Sequence, residues 1–324
     1  MLKSQRDPFG TVQHDMDVQF DMDIRQTTRY AQFMQSLGWL VEKIDGVNIF
    51  IKPFPLIGAT IKIQRANKLP DVNKLRQLMK KYHCRSISFE PTEKFQISNF
   101  KFQILSDPYL PTKTILIDVT ASESTIFNRF SEAKHRAVRR AEKAGVVVKE
   151  FQDINEFIKL KNKTAGLLGF LTTSTLKPLW QTFSPDQASI LLAYCHAEAQ
   201  PKHLGRRPHE DNNTSLDPSS RLAGLRMTNK DKPVSGILLL FHNQTAYYWI
   251  AAATELGKKS FAPTLLVWEA LKLTKQKGCT QFDFEGIYDE RYPNLNKNWL
   301  GFTKFKQGFG GKEVYYPQPV QVKR

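Results

Sequence analysis

Short apolar runs alternate with amphipathic stretches along the chain. Val47–Lys52 (VNIFIK) and Ile57–Ile63 (IGATIKI) read as strands split by a Pro-rich turn. Asp71 then caps a predicted helix whose apolar residues Val72, Leu75, Leu78, Met79 and Tyr82 recur at helical spacing. Ser86–Glu90 (SISFE) and Ile115–Val119 (ILIDV) follow as strands. The second half repeats this order. Leu222–Thr228, Val234–Phe241 and Thr245–Ile250 predict a three-strand meander, and Ala262–Lys277 a helix with Pro263 in its first turn and Gly278 at its stop. Thr280–Glu285 is the next strand. An apolar strand ending in an acidic residue thus follows a helix twice, as SISFEP and QFDFEG, a weak internal symmetry expected of a duplicated domain. One long helix is predicted to join the halves. Thr120 and Glu123 form a capping-box pair, Ile126, Phe127, Phe130, Ala133, Ala137 and Ala141 continue the run, and it stops near Gly145.

Length and composition set bounds on this pattern. The 324 residues suggest about two domains. No apolar stretch approaches a membrane span, and the mixed-charge N-terminus lacks a signal core, so a cytoplasmic protein is expected. Ala199–Arg221 is rich in Pro, Asn, Ser and charge and reads as a flexible insertion. Cys84, Cys195 and Cys279 are scattered, which argues against a disulfide framework or a thiolate metal site. The formal net charge of +16 favours polyanionic partners without choosing among nucleic acid, lipid headgroups and phosphorylated precursors.

Two segments carry candidate chemistry. In AKHRAVRRAEKAG, residues Arg136, Arg139, Arg140 and Lys143 fall at i, i+3, i+4 and i+7 on one helical face, with alanines on the other. Such a stripe either tracks phosphates or is a solvated helix face. The segment FDFEGIYDERYPNLNKNWLGFTKFKQGFGGKEVYY mixes Asp283 and Glu285 at a strand end with lysines, aromatics and glycines. The carboxylates would lie near a cleft or cap the following loop. Gly308, Gly310 and Gly311 admit a ligand's close approach or make a turn before VYY. Lys306 either projects into a cleft, or snorkels over Phe305 and Phe309. In an extended segment, Lys304 would share its face. No P-loop, dinucleotide fingerprint, metalloprotease helix or Ser-His-Asp signature is present.

Several segments, in order, resemble the Fem-type (FemABX) aminoacyltransferases that branch peptidoglycan. They are RQTTRYAQFMQSLGW, SISFEPTE, TILIDVT with KHRAVRRAEKAGVVV, AGLRM, YYWIAAAT, PTLLVWEALKLTKQKG, FDFEGI and FKQGFGG, spanning Gln26 to Tyr316 approximately. The resemblance implies a mixed α/β fold of two tandem GNAT-like acyltransferase domains. We expect the first over residues 1–145, with the tail 308–324 returning to it, and the second over 146–307. It implies transfer of an amino acid from aminoacyl-tRNA to an amine of a lipid- or nucleotide-linked peptidoglycan precursor, with peripheral association at the membrane where the acceptor is lipid-linked. No metal or cofactor is called for. By the same resemblance Lys306 is the catalytic cation. Arg136, Arg139, Arg140, Lys143, Tyr248, Asp283, Glu285 and Lys304 are the substrate-binding candidates.

One departure concerns the acceptor. The family's segment resembling Thr164–Phe170 carries an arginine for the precursor's phosphates, where this chain has Leu167. A leucine cannot make that contact, so the usual acceptor is not assured. Two rivals stay open. A coenzyme-A-dependent N-acyltransferase wants a glycine-rich loop before the long helix, and ELGKKSFAP has only Gly257. A non-catalytic RNA- or precursor-binding protein of the same fold draws its support from Leu167.

Overall fold

The computed structural model describes residues 22–95, 103–165, 173–195 and 232–323. After a 3-10 turn at Ile24–Gln26 come α1 (Thr28–Ser36), β1 (Leu40–Ile44), β2 (Val47–Phe54), β3 (Gly58–Ala66), α2 (Val72–Lys81), β4 (Cys84–Pro91), β5 (Gln103–Ile104) and β6 (Lys113–Asp118). The middle of the chain adds α3 (Glu123–Asn128), α4 (Glu132–Lys143), β7 (Val146–Phe151), α5 (Ile154–Ala165), α6 (Leu176–Phe183) and β8 (Ala188–Cys195). The last part holds β9 (Ser235–His242), β10 (Thr245–Ala253), α7 (Glu255–Lys259), α8 (Ala262–Gln276), β11 (Gln281–Asp283), α9 (Leu300–Gln307), β12 (Lys312–Tyr315) and β13 (Val320–Lys323). The insertion Ala199–Arg221, the strand expected at Leu222–Thr228 and Leu167 lie outside the described residues. No helix among the described residues is long and apolar enough to cross a membrane.

The strands form two sheets, in the orders β1-β2-β3-β4-β13-β5 and β12-β6-β11-β10-β9-β8-β7. Each is built around one parallel pair joined by a helical crossover, β3–α2–β4 in the first and β10–α8–β11 in the second. The duplication read from SISFEP and QFDFEG is therefore present in three dimensions. It carries an exchange that the sequence does not announce. Beyond β4 the first sheet is completed by β13 and then β5, both antiparallel neighbours. Beyond β11 the second is completed by β6 and then β12 in the same sense. If the halves are taken at residue 145, each lends its last strand, β6 or β13, to the other sheet. We propose that the division of the chain follows the sheets, with the boundary between β5 and β6 rather than at residue 145.

The second sheet is covered on both faces, which explains the continuous apolar runs of its central strands. Ile237 and Leu239 of β9 face a core beneath α4 and α8, while Leu238 and Leu240 face one beneath α5 and α6. Strand β8 obeys the same rule, with Leu191 on one side and Ile190 and Leu192 on the other. Gly236 lets α5 approach the sheet; a Cβ there would lie 2.8 Å from Leu192 and 3.0 Å from Phe157. The first sheet packs Ile49, Ile51, Ile61, Ile63 and Phe89 against Leu75 and Leu78 of α2. Asp71 caps α2, accepting from the Lys74 amide at 2.8 Å.

The single joining helix is in fact two. Ser122 caps α3 by accepting from the Thr125 amide, and Ser131 caps α4 by accepting from Lys134. Thr120 makes no capping box; its hydroxyl and amide both donate to Asp118. The break falls at Arg129–Ser131, where the Ser131 amide leaves the helix ladder and donates 2.8 Å to the Gly308 carbonyl. The serine's hydroxyl can start a new helix by capping it, so apolar spacing alone overestimates the helix.

Candidate active site

The parallel pair β10/β11 is short. Their pairing covers only Thr245–Tyr247 against Gln281–Asp283, whereas β10 runs on to Ala253 and slips register around Trp249. Past Asp283 the two strands part. Phe284 stays with β6, its amide donating 3.0 Å to Ile115, and the chain then turns through Glu285 and Gly286 at φ 61° and 147°. The fork so formed is where Lys306 arrives from α9. Its Nζ donates 2.8 Å to the Phe284 carbonyl and 2.6 Å to the Gly286 carbonyl, one on either side of Glu285. The rings of Phe302, Tyr248 and Phe284 stand 4.9, 5.3 and 5.7 Å from the same atom.

The helical course of α9 explains why Lys306 is inside. Thr303 and Lys306 share its buried face, while Lys304 is exposed. The expectation of a shared face for Lys304 fails because residues two apart on a helix point about 200° apart. The aromatic surface expected to carry a snorkelling Lys306 is taken by Lys134 of α4. Its Nζ sits 3.5 Å from the Phe305 ring and 4.6 Å from Phe309. The glycines that follow serve the protein's own backbone. A Cβ at Gly310 would lie 2.8 Å from the Arg129 carbonyl oxygen, and one at Gly311 2.7 Å from that of Leu116.

Burial governs the charges here. It pushes Lys306 down to about 8, against the pull of Asp283 and Glu285. Burial, followed by the nearby Glu285 charge, pushes Asp283 up to about 7, against hydrogen bonds from the Thr114 hydroxyl and the Glu285 amide. Burial also raises Tyr248. Glu285 is spent on an ion pair. Arg25, only 3% exposed, grips both its oxygens at 3.2 and 2.6 Å, is itself held by Asp23, and lies 4.8 Å over the Trp249 ring. Burial opposes the Arg25 charge, but Glu285 and Asp23 outweigh it.

Asp283 makes a testable contribution to stability. Its folded pKa of about 7 exceeds the ordinary carboxylate value of about 4, so the folded state holds a proton that the unfolded state has released. Stability from this group is present below about pH 4 and lost as pH rises to about 7. Asp283→Asn should therefore raise Tm progressively more from pH 4 to pH 7, by several degrees at neutral pH, a gain of roughly 2–4 kcal/mol. Scanning calorimetry of both proteins over that range checks it; a constant offset would show that Asp283 is ionised throughout.

Of the sequence-predicted residues, the fold brings Lys306, Tyr248, Asp283 and Glu285 together and leaves Lys304 outside this cluster. Arg136, Arg139, Arg140 and Lys143 are exposed along α4, opposite buried Ala137, Val138 and Ala141. Arg140 lies 5.6 Å from the Phe261 ring. Sequence reasoning missed Arg25, Thr114 and Trp249. Arg25 and Thr114 sit far from the motif in sequence, and nothing local in DIRQ marks a buried ion pair. Among the described residues no cluster of His, Cys, Asp and Glu could hold a metal ion.

Two crossover-built sheets, each with a helix between its parallel strands and the second with a splayed pair, define a tandem GNAT-like fold. Within that class the resemblance to the Fem type holds, since the FemAB family model matches residues 220–317. The fold is similar to the crystal structure of FemX, at TM-score 0.69 and 16% identity over 93% of this chain and 92% of that one. A conserved protein of unknown function from Bacteroides thetaiotaomicron aligns at TM-score 0.57 and 10% identity, covering 93% and 91%. The structure of L-PGS from Bacillus licheniformis aligns at 0.53 and 10%, covering 90% and 85%. No curated protein sequence matches the chain.

Proposed function

We propose that this protein is an aminoacyl-tRNA-dependent transferase, forming an amide between the donor amino acid and an amine of a peptidoglycan precursor, at the cytoplasmic side of the membrane. The observation that carries the reading is the desolvated ammonium of Lys306, held by two carbonyls at the mouth of a strand fork. Two of its N–H groups are used, which leaves a third for substrate. The acceptor amine attacks the ester carbonyl, the oxygen gains charge, and Lys306 stabilises it through that third donor. Collapse of the tetrahedral intermediate then breaks the ester C–O bond, and the proton given up by the attacking amine passes to the departing ribose oxygen, which leaves as the hydroxyl. Tyr248 forms the apolar wall beside the ammonium, Asp283 offsets its charge only as it ionises near pH 7, and Lys304 meets the substrate nearer solvent.

The stretch before α8 argues against coenzyme A. Its amides are already committed, Ser260 to Leu256, Phe261 to Lys258, and Thr264 and Leu265 to Phe261. A pyrophosphate therefore finds no cradle of free N–H groups there. The basic face of α4, by contrast, stays open to solvent. Helix α4 starts at the end of α9, and its basic face from Arg136 to Lys143 spans about 10 Å of the helix, over which phosphates of an acceptor arm fit.

The deciding assay gives the purified protein aminoacyl-tRNA or acetyl-CoA with a mixed pool of lipid- and nucleotide-linked acceptors, with products read by mass spectrometry. Amide product from aminoacyl-tRNA alone is expected; acetylated product, or none, would overturn the reading. Binding of tRNA should weaken steeply with salt. Arg139→Ala with Arg140→Ala should lower the slope of log K against log salt by about 1–2. An unchanged slope would assign the α4 stripe to solvation or to the other substrate.

A further inference from the structure

The turn that receives Lys306 is strained, and its strain is held from the other end of the chain. Glu285 is a non-glycine residue at φ 61°, a region that costs an L-residue about 1–2 kcal/mol. That conformation brings the carbonyl oxygens of Phe284 and Gly286 to one ammonium, whereas extended backbone would point them the same way but hold them about 7 Å apart, too far for one ammonium to bridge. The backbone is tied at the turn by the Glu285 amide, donating 2.7 Å to Asp283, and on either side by the Phe284 and Ile287 amides, donating to the Ile115 and Lys113 carbonyls at 3.0 and 2.9 Å. The Glu285 side chain is held by Arg25. This arginine comes from the 3-10 turn that precedes the first sheet, 260 residues away in sequence, and holds the Glu285 carboxylate with both terminal nitrogens. Asp23 fixes Arg25 through two contacts to the guanidinium and one to the backbone amide, and Trp249 at the slipped register of β10 supports its flat face.

We infer that Arg25 is a positioning residue for Lys306. It clamps Glu285 in the left-handed turn, so that the carbonyls on either side hold the lysine's ammonium in the strand fork. Arg25 meets no reacting atom; it acts through Glu285. The clamp also makes the site conditional on docking of the first half's leading turn against the second sheet. The inference rests on the reading of Lys306 as the catalytic cation, and its test includes a measurement that needs no substrate.

The charged and titratable groups around Lys306 are Asp283 and Glu285 on the strand and turn that it binds, Tyr248 from β10 and, behind Glu285, Arg25. Removing the guanidinium leaves the Glu285 carboxylate uncompensated, and an uncompensated anion favours the ammonium. In Arg25→Ala the midpoint for trace acetylation of Lys306, followed by mass spectrometry across roughly pH 6 to 10, should rise by about one unit. Turnover should fall about tenfold, with kcat affected more than KM. Glycine adopts the left-handed turn without strain and carries no charge. In a Glu285→Gly background, Arg25→Ala should therefore change neither the midpoint nor turnover by more than about twofold. Should Arg25→Ala alone not fold, the comparison of Glu285→Gly with the double variant carries the test. An unmoved acetylation midpoint in folded Arg25→Ala would overturn the inference. So would a further large loss on adding Arg25→Ala to Glu285→Gly, which would mean that Arg25 touches substrate. A shifted midpoint in a protein that transfers no amino acid from any aminoacyl-tRNA would uphold the clamp and overturn the proposed activity.

Discussion

Lys306→Ala is expected to lower turnover about 10²–10³-fold at saturating donor and acceptor, the usual loss for one preorganised oxyanion donor. The size follows from where the ammonium sits. Lys306 is 8% exposed, and its charge is held by two backbone carbonyls that cannot reorganise at the moment of reaction. In such surroundings an N–H aimed at a developing oxyanion is worth far more than in water. Losing the side chain also leaves two buried carbonyls unpaired, at about 1–3 kcal/mol each, so the variant should unfold at lower temperature while remaining folded at assay temperature. Lys304→Ala is the internal control, since its side chain is exposed two positions away and its loss should raise KM with kcat kept. Single-turnover kinetics with preformed aminoacyl-tRNA separates chemistry from product release. A Lys306→Ala protein with near-normal single-turnover rate would remove this lysine from the mechanism.

The second large effect concerns the exchanged strands. Ending the chain at Tyr316 should dismantle the first sheet while sparing the second. Strand β13 lies between β4 and β5, pairing Val320–Lys323 with Phe89–Ser86 and Val320 with Ile104. Pro319 also accepts the Leu105 amide at 2.8 Å, and Val320 packs against the α2 core. At roughly 1 kcal/mol for each ladder hydrogen bond, the loss is on the order of 5 kcal/mol, comparable with the whole stability of a typical domain. Hydrogen exchange locates it: amides of Ile87 and Phe89 should lose protection, and those of Leu238 and Leu240 in β9 should keep it. Equal protection of Ile87 in both proteins would show that β4 does not depend on β13. Full loss at β9 as well would show that the sheets unfold as one unit.

Local rules in the sequence determined a good deal here. The short strand runs VNIFIK and IGATIKI, the cap at Asp71 and the proline at the start of α8 depend on neighbours a few residues away, and each appears where expected. The repeated strand–helix–strand order made the duplication legible for the same reason. The basic face of α4 was legible because helical period alone puts four cations opposite three buried apolar residues. The motif resemblance supplied Lys306. Tertiary structure decided the remainder. Ala188–Cys195 lacks alternation because β8 is buried on both faces, which no local pattern distinguishes from a core helix. The break at Ser131 depends on a carbonyl at Gly308, far along the chain. The exchange of β6 and β13 reflects which sheet edge each strand reaches in space, and strand sequence is nearly silent on that. The environment of Lys306 was hidden most deeply. Lys304 and Lys306 look equivalent in FTKFKQ until α9 turns one outward and one inward. The charges that surround the inward one come from Asp283, Glu285 and Arg25, groups that sequence separates and only desolvation in a shared fork makes strongly interacting.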